Sequence, residues 1–224
     1  MKTSLHIFLV DDHPLITAGY QQSFQAIEAA GQYHFQITTA HSLDEAVHQL
    51  QRFSAQKPLA LLLVDLKMPP THDHALHSGE DLALLIKDQF PKVKIIIATT
   101  YNNNYRIHNL VQTLNPDGFL VKNDITPELI QEAIIEVIQN PPFYSKSIIR
   151  SLRKYVANDF KIDKLDRDLL YHLSLGTKTK DLTHTLPLSI AAIERRKKKL
   201  KELFAIDSNT DKDLLETAKE LGFI

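Results

Sequence analysis

The sequence predicts an α/β protein with a doubly wound, five-stranded parallel sheet, followed by a small all-α domain. Two observations lead to this fold class. In the first 140 residues, short apolar runs alternate with segments whose apolar residues recur at steps of three and four. After about residue 164 the apolar runs stop and only helical patterns continue.

Five apolar runs are interpreted as strands. Several of them lack polar alternation, which is typical of strands that helices cover on both faces. The predicted strands are residues 5–10, 35–40, 60–65, 94–100 and 118–122.

Helical patterns follow each of these strands. Ser42 can cap the second helix, and Glu45 completes a capping box with it. Five β–α repeats imply a parallel sheet with helices on both faces. The predicted helices are residues 14–29, 43–53, 80–89, 105–114 and 127–138.

Two prolines end this pattern and divide the chain into a first domain, residues 1–140, a linker, residues 141–160, and a second domain, residues 161–224. The sequence pattern predicts a helix near 146–157 within the linker. Ser189 and Thr210 can cap the last two helices of the second domain. The predicted helices of that domain are residues 166–175, 178–186, 190–204 and 211–221.

Composition excludes several classes of protein. The chain has no cysteine, which excludes disulfides, thiolate metal sites and cysteine nucleophiles and is typical of a cytoplasmic protein. No apolar run approaches about 18 residues, so we expect no membrane span.

Charge is distributed unevenly. Residues 1–140 carry 9 Lys and Arg against 15 Asp and Glu, whereas residues 141–224 carry 17 against 12. The basic half suggests a polyanionic partner, although uneven surface charge alone would give the same counts.

Polar side chains follow four of the predicted strands. Asp11 and Asp12 follow the first strand and Asp65 ends the third, while Thr99 and Lys122 end the fourth and fifth. The carboxyl ends of parallel strands meet at one edge of the sheet, where ligands bind. Three carboxylates in one place repel each other, and their oxygens suit Mg²⁺. A lysine and a hydroxyl beside them suggest a phosphoryl group.

Each of these residues has a plainer explanation when taken alone. Asp11 or Asp12 can cap the helix that begins near Pro14, and Lys122 can be a solvated lysine. Their joint placement at the strand ends favours a binding site.

The motifs IFLVDDHPLITAG, LLLVDLKMP, IIIATT and GFLVK resemble, in order and spacing, the flavodoxin-like receiver domain of bacterial two-component response regulators. The resemblance covers residues 4–139. It implies that Asp65 accepts a phosphoryl group from a cognate histidine kinase. It also implies that Mg²⁺ binds at Asp65, directly to Asp12, through water to Asp11, and to the backbone carbonyl of Lys67.

The same resemblance assigns a switch. Thr99 and Lys122 would contact the phosphoryl oxygens, and Phe119 matches the aromatic residue that follows the movement of Thr99. Phenylalanine has no hydroxyl, so this switch would act by packing alone. The asparagine-rich turn of residues 99–106 is typical of a mobile loop.

The segment PTHDHALHSG, residues 70–79, is longer than the corresponding loop of the family. His72, His74 and His77 with Asp73 can ligate zinc or copper. No buried polar group is available to orient these imidazoles, which favours a solvated loop. A third interpretation is a role in partner specificity.

The segment SIAAIERRKKKLKELF combines an apolar stripe with basic residues on its other faces. With the preceding short helix and turn it predicts a helix-turn-helix whose second helix enters the major groove of double-stranded DNA. A solvated basic surface is the alternative. The candidate DNA contacts are Lys178, Lys180, Ser189, Ala192, Arg195, Arg196, Lys198 and Lys199.

Residues 164–221 resemble the LuxR-type output domain of the NarL/FixJ class, more loosely than the first half resembles a receiver. This chain has LDRD where the family usually opens with LTxRE, and it has Glu194 where the family commonly has a basic residue. Glu194 can accept a hydrogen bond from cytosine or can weaken DNA binding, so Arg195 or Arg196 and Lys198 are the better candidates. The matching positions are Gly176, Lys180, Ser189, Ile193 and Leu200.

Together these features predict a cytoplasmic, non-enzymatic response regulator that controls transcription and forms a homodimer on DNA or on phosphorylation. The apolar face of helix 211–221 is either a dimer surface or part of its own domain. One rival function is a receiver-controlled protein-interaction module. Another is a haloacid-dehalogenase-type phosphatase, which normally has a second Asp where this chain has Lys67.

Overall fold

The computed structural model describes residues 2–54, 56–100, 104–156, 162–206 and 210–224. The chain divides into two compact units, one of residues 1–101 and 110–148, the other of residues 102–109 and 149–224. The division after residue 148 falls inside the segment predicted as a linker. Residues 157–160 of that segment and residues 101–103 of the asparagine-rich turn lie outside the described residues.

Among the described residues, six parallel strands form one sheet in the order β2-β1-β3-β4-β5-β6. The doubly wound parallel sheet is therefore confirmed, but the expected number of strands was wrong. The sixth strand pairs with β5 through two residues only, a length too short to give a hydrophobic pattern. The strands are β1 Thr3–Val10, β2 Tyr33–Ala40, β3 Leu59–Val64, β4 Lys94–Thr99, β5 Gly118–Val121 and β6 Phe143–Tyr144.

Helices flank the sheet because each buries one apolar stripe. The first and fifth helices pack together against one face of the sheet, where Phe24, Leu63 and Ile134 share a core. Phe8 and Leu62, at alternate strand positions, are fully buried as well. The helices of this unit are α1 Pro14–Ala29, α2 Leu43–Leu50, α3 Gly79–Gln89 and α5 Pro127–Gln139, while α4 Asn104–Leu114 and α6 Lys146–Val156 each have residues in both units.

The predicted cap of α2 is present in a modified form. Ser42 Oγ accepts a hydrogen bond from the Glu45 amide at 3.1 Å. The Glu45 carboxylate accepts from the amide of His41 at 2.7 Å, one residue before the position that a capping box uses.

The second unit contains three further helices around the apolar side chains of Leu169, Ile193, Leu200 and Phe223. The helices are α7 Lys164–Ser174, α8 Ile190–Leu203 and α9 Asp211–Glu220. Among the described residues, no helix is long and apolar enough to span a membrane.

Two predictions for this unit were wrong in detail. The expected helix of residues 178–186 is only a 3-10 turn, Asp181–His184. Thr183 and Thr185 donate their hydroxyls to carbonyls three residues earlier, a local bonding that competes with a regular helix.

The predicted helix of residues 166–175 begins two residues earlier, as α7 Lys164–Ser174, because Asp163 is its cap and forms a capping box with Asp166.

The apolar face of α9 packs inside its own unit. Leu214 and Ala218 are fully buried in the core, and Leu215 and Leu221 pack against it. This arrangement favours the interpretation that the face stabilises its own domain over the interpretation that it is a dimer surface.

Candidate functional site

An acidic site lies at the carboxyl edge of the sheet. The pairing of Val10 with Val64 places Asp11 and Asp65 at the ends of neighbouring strands. Asp11 is fully buried and Asp65 is 2% exposed. Lys122, immediately after β5, brings its Nζ to 2.6 Å from an oxygen of Asp11 and to 2.6 Å from an oxygen of Asp65.

Asp12 and His13 complete this cluster. One potential ligand atom from each of Asp11, Asp12, His13 and Asp65 lies within 4.8 Å of the others. The Nδ1 atom of His13 lies 2.7 Å from Asp12 Oδ1 and 3.3 Å from Asp11 Oδ1. The sequence interpretation missed His13, although its position directly after two aspartates at a strand end was a usable signal.

The donor set of this acidic cluster fits Mg²⁺. Three carboxylates supply hard oxygen ligands, whereas Lys122 supplies a single compensating charge within contact distance. Asp11 Oδ2 and Asp12 Oδ1 are buried, and they lie 2.6 Å from Lys122 Nζ and 2.7 Å from His13 Nδ1. Three carboxylates around one lysine leave an excess of buried negative charge, which a divalent cation would offset.

The loop after β3 is folded against Asp65. The amide of Lys67 donates to Asp65 Oδ1 at 2.9 Å, and the amide of Gly79 donates to the Leu66 carbonyl at 3.1 Å. A Cβ atom at Gly79 would lie 1.9 Å from the Asp65 carbonyl oxygen. Glycine is therefore required at this position, which the sequence interpretation did not identify. The role of the Lys67 carbonyl as a metal ligand stays a prediction.

Thr99 lies at the end of β4 next to this site, and Phe119 lies on β5, three residues before Lys122. Thr99 is fully buried and pairs with Val121, the residue before Lys122. Phe119 is also fully buried and meets the ring of Tyr144 edge-on, with centroids 6.4 Å apart. Tyr144 comes from the unpredicted strand β6, so the aromatic contact of Phe119 was not foreseen.

The histidine-rich segment has a defined conformation. His72 donates its amide to Asp44 at 3.2 Å, and its Nδ1 lies 2.9 Å from the same carboxylate. The amide and then the imidazole of His72 lower the pKa of Asp44. Among the described residues, the acidic cluster alone gathers three or more potential metal ligands, which favours a solvated loop for His72, His74 and His77.

The second unit presents a basic surface around α8. The Oγ atom of Ser189 caps this helix by accepting from the amide of Ala192 at 3.3 Å, so both predicted DNA contacts are at the start of α8. The exposed basic candidates are Lys178, Lys180, Arg195, Lys198 and Lys199.

Arg196 and its neighbour Lys197 are not part of this exposed surface, because both contact carboxylates of the second unit. The Arg196 guanidinium lies 2.8 Å from Asp163 and 2.5 Å from Asp166, and these two carboxylates raise the pKa of Arg196. Lys197 is buried, with its Nζ 2.7 Å from Asp211 and 3.2 Å from Glu194. These ion pairs link α8 to α7 and α9. The Arg196 guanidinium, which was predicted to contact DNA, is thus engaged with carboxylates of its own unit.

A six-stranded parallel sheet with an acidic, lysine-bearing edge defines a protein of the flavodoxin-like receiver class. Residues 7–135, more than half of the chain, match the family of response regulator receiver domains. The chain therefore belongs to the response regulator receiver family.

Three proteins illustrate the similarity beyond the first half. The transcriptional regulatory protein RcsB of Salmonella typhi is 27% identical over 199 residues, covering 87% of this chain and 86% of RcsB. The transcriptional regulatory protein MctR of Rhizobium johnstonii is 22% identical over 228 residues, covering 100% of this chain and 97% of MctR. RcsB from Salmonella enterica serovar Typhimurium, solved bound to a promoter with the phosphomimetic BeF3⁻, has a TM-score of 0.64 at 22% identity. That match covers 95% of this chain and 97% of the solved chain, and it shows the shared fold.

Proposed function

We propose that this protein is a cytoplasmic response regulator whose Asp65 accepts a phosphoryl group from a histidine kinase and whose second unit controls transcription by binding double-stranded DNA. The observation that carries the proposal is the buried contact of Asp65 with Lys122, beside Asp11 and Asp12. Family membership and the RcsB and MctR relatives support the same function.

The chemistry is in-line transfer to a carboxylate. An oxygen of Asp65 attacks the phosphorus of the phosphohistidine, a P–O bond forms, and the P–N bond breaks with its electron pair returning to the imidazole. The amide of Lys67 holds one oxygen of Asp65, and Lys122 neutralises charge on the phosphoryl oxygens during transfer. Asp11, Asp12 and Asp65 would hold Mg²⁺, which when bound offsets the negative charge of the phosphoryl group.

The acyl phosphate adds roughly one to two negative charges and new acceptor oxygens at a buried edge. Thr99, which is fully buried at the end of β4, would donate its hydroxyl to these oxygens, and Phe119 would repack against Tyr144 when Thr99 moves. Such a switch biases a two-state equilibrium, which would change homodimer formation or expose the basic surface of the second unit.

Phosphorylation is tested with acetyl phosphate and Mg²⁺, followed by intact-mass measurement. We expect the wild-type chain to gain one phosphoryl group and Asp65→Asn to gain none. Equal gain in both chains, or no gain in the wild type, would contradict the assignment of Asp65. Steady hydrolysis of a phosphate ester would instead favour the phosphatase, although Lys67 stands where that class needs a second carboxylate.

DNA binding is proposed for the exposed residues Lys178, Lys180, Arg195, Lys198 and Lys199, with Ser189 and Ala192 at the start of α8. Each phosphate contact releases counterions, so affinity falls linearly with the logarithm of salt concentration. This slope is measured by titrating the full chain, in the presence of BeF3⁻ and Mg²⁺, with duplexes of mixed sequence at several salt concentrations.

A protein-interaction module is the second candidate. Arg196 and Lys197 of α8 form ion pairs within the second unit, and Glu194 stands where the family commonly has a basic residue. Absence of DNA binding at low salt, together with normal phosphorylation, would favour this candidate.

A further inference from the structure

A cavity of about 470 Å³ lies between α1 and α5 and extends to Lys122 of the acidic site. Its walls combine apolar and polar side chains, and Tyr20 of α1 lines it together with Lys122. The cavity thus joins the tyrosine and the lysine that contacts Asp65 within one continuous space.

The hydroxyl of Tyr20 is buried without a hydrogen-bond partner among the described residues of the unphosphorylated protein. Tyr20 itself is 2% exposed. Burial raises the pKa of Tyr20 well above its ordinary value, and the carboxylates of Asp11 and Asp65 raise it further. A tyrosine hydroxyl is protonated at neutral pH, so this hydroxyl is available as a donor.

A buried donor without an acceptor lowers the stability of a fold, and phenylalanine would fill the same volume without that cost. The acceptor is therefore expected in another state of the protein. Phosphorylation of Asp65 supplies one, because it adds negative oxygens to a site whose single lysine already contacts two carboxylates.

We propose that Tyr20 binds the phosphoryl group in the phosphorylated state, in which its hydroxyl donates a hydrogen bond to an oxygen that the phosphoryl group brings to the Asp65 site. The inference rests on the proposed function of Asp65. It adds a donor from α1 to those at the strand ends, Thr99 and Lys122, and it assigns the α1–α5 cavity to the phosphorylation site.

The test compares the full-length wild type with Tyr20→Phe, using BeF3⁻ and Mg²⁺ as the probe and fluorine NMR as the measure of binding. We expect Tyr20→Phe to bind BeF3⁻ about tenfold more weakly, which corresponds to about 1.4 kcal/mol. Without BeF3⁻, the urea midpoint of Tyr20→Phe should equal or exceed that of the wild type.

Tyr33→Phe is the matched control. The hydroxyl of Tyr33 accepts a hydrogen bond from Gln139 at 3.1 Å on the exposed surface, so its removal should leave BeF3⁻ affinity unchanged. Equal affinity of Tyr20→Phe and the wild type would overturn the proposal. A lower urea midpoint with weaker binding would also overturn it, since that pattern marks a structural role. Absence of binding by the wild type itself would overturn the proposed function of Asp65 and this inference with it.

Discussion

The Lys122 cluster of the first unit and the Arg196 cluster of the second each place one cation among carboxylates. In the Arg196 cluster, Asp163 and Asp166 also accept each other's backbone amides in the capping box of α7. In the Lys122 cluster, Lys122 contacts Asp11 and Asp65, while Asp12 contacts His13, so that three carboxylates gather around one lysine. The carboxylates of the first arrangement are held by an arginine and a helix cap, whereas those of the second keep an excess of negative charge that a bound Mg²⁺ would offset. Excess carboxylate charge thus distinguishes the candidate binding site from the structural ion pair.

The largest expected effect comes from Lys122→Met. Removing the lysine leaves Asp11 and Asp65 buried without their cation, and breaking a buried pair in this way costs roughly 3–5 kcal/mol. Urea unfolding should show this loss, and millimolar Mg²⁺ should recover part of it because the cation replaces the missing charge. A variant as stable as the wild type without Mg²⁺ would show that Lys122 does not hold the acids together.

Arg196→Met should have a smaller effect that no cation reverses. Asp166 is buried and loses its charged partner, while the backbone bonds of the capping box remain, so we expect a loss of roughly 1–3 kcal/mol. Urea unfolding with and without Mg²⁺ measures both quantities. Recovery by Mg²⁺ would remove the distinction between the two clusters.

The caps of α2 and α8 test whether the two units respond alike to the same loss. Ser42→Ala and Ser189→Ala each remove one hydrogen bond to the amide of the residue three positions on. Each should cost about 1 kcal/mol in urea unfolding. A much larger loss of DNA affinity than of stability for Ser189→Ala would show that this hydroxyl also contacts DNA.

The smallest effect concerns acid pH. Burial raises the pKa of Asp163, but hydrogen bonds from Arg196 and from the Asp166 amide outweigh it and hold that pKa below its ordinary value of 3.8. The stabilisation is therefore present above pH 3.8 and is lost as the pH falls through the lower, folded-state pKa. Between pH 6 and pH 3, the free energy of unfolding should therefore fall less steeply in Arg196→Met than in the wild type. An unchanged pH profile would contradict the coupling.

The predictable part of the fold and site comes from strong, local signals. Apolar runs that end at Asp11, Asp65 and Lys122 predicted both the strands and the meeting of these side chains at one edge, because parallel strands align their carboxyl termini. The features that escaped prediction depend on distant partners or very short elements. Strand β6 has two residues, and Arg196 could not be told from its exposed neighbours because its partners lie about thirty positions earlier.

Gly79 has a consequence for the histidine-rich loop. Its amide joins the Leu66 carbonyl at 3.1 Å, and within the loop the amide of Thr71 joins the Leu76 carbonyl at 2.9 Å. The loop is therefore a side branch closed at its base and again near its tip. We therefore expect residues added to or removed from such a branch to leave Leu66 and Gly79, at its base, in place beside Asp65. The histidines would then vary independently of the acidic cluster.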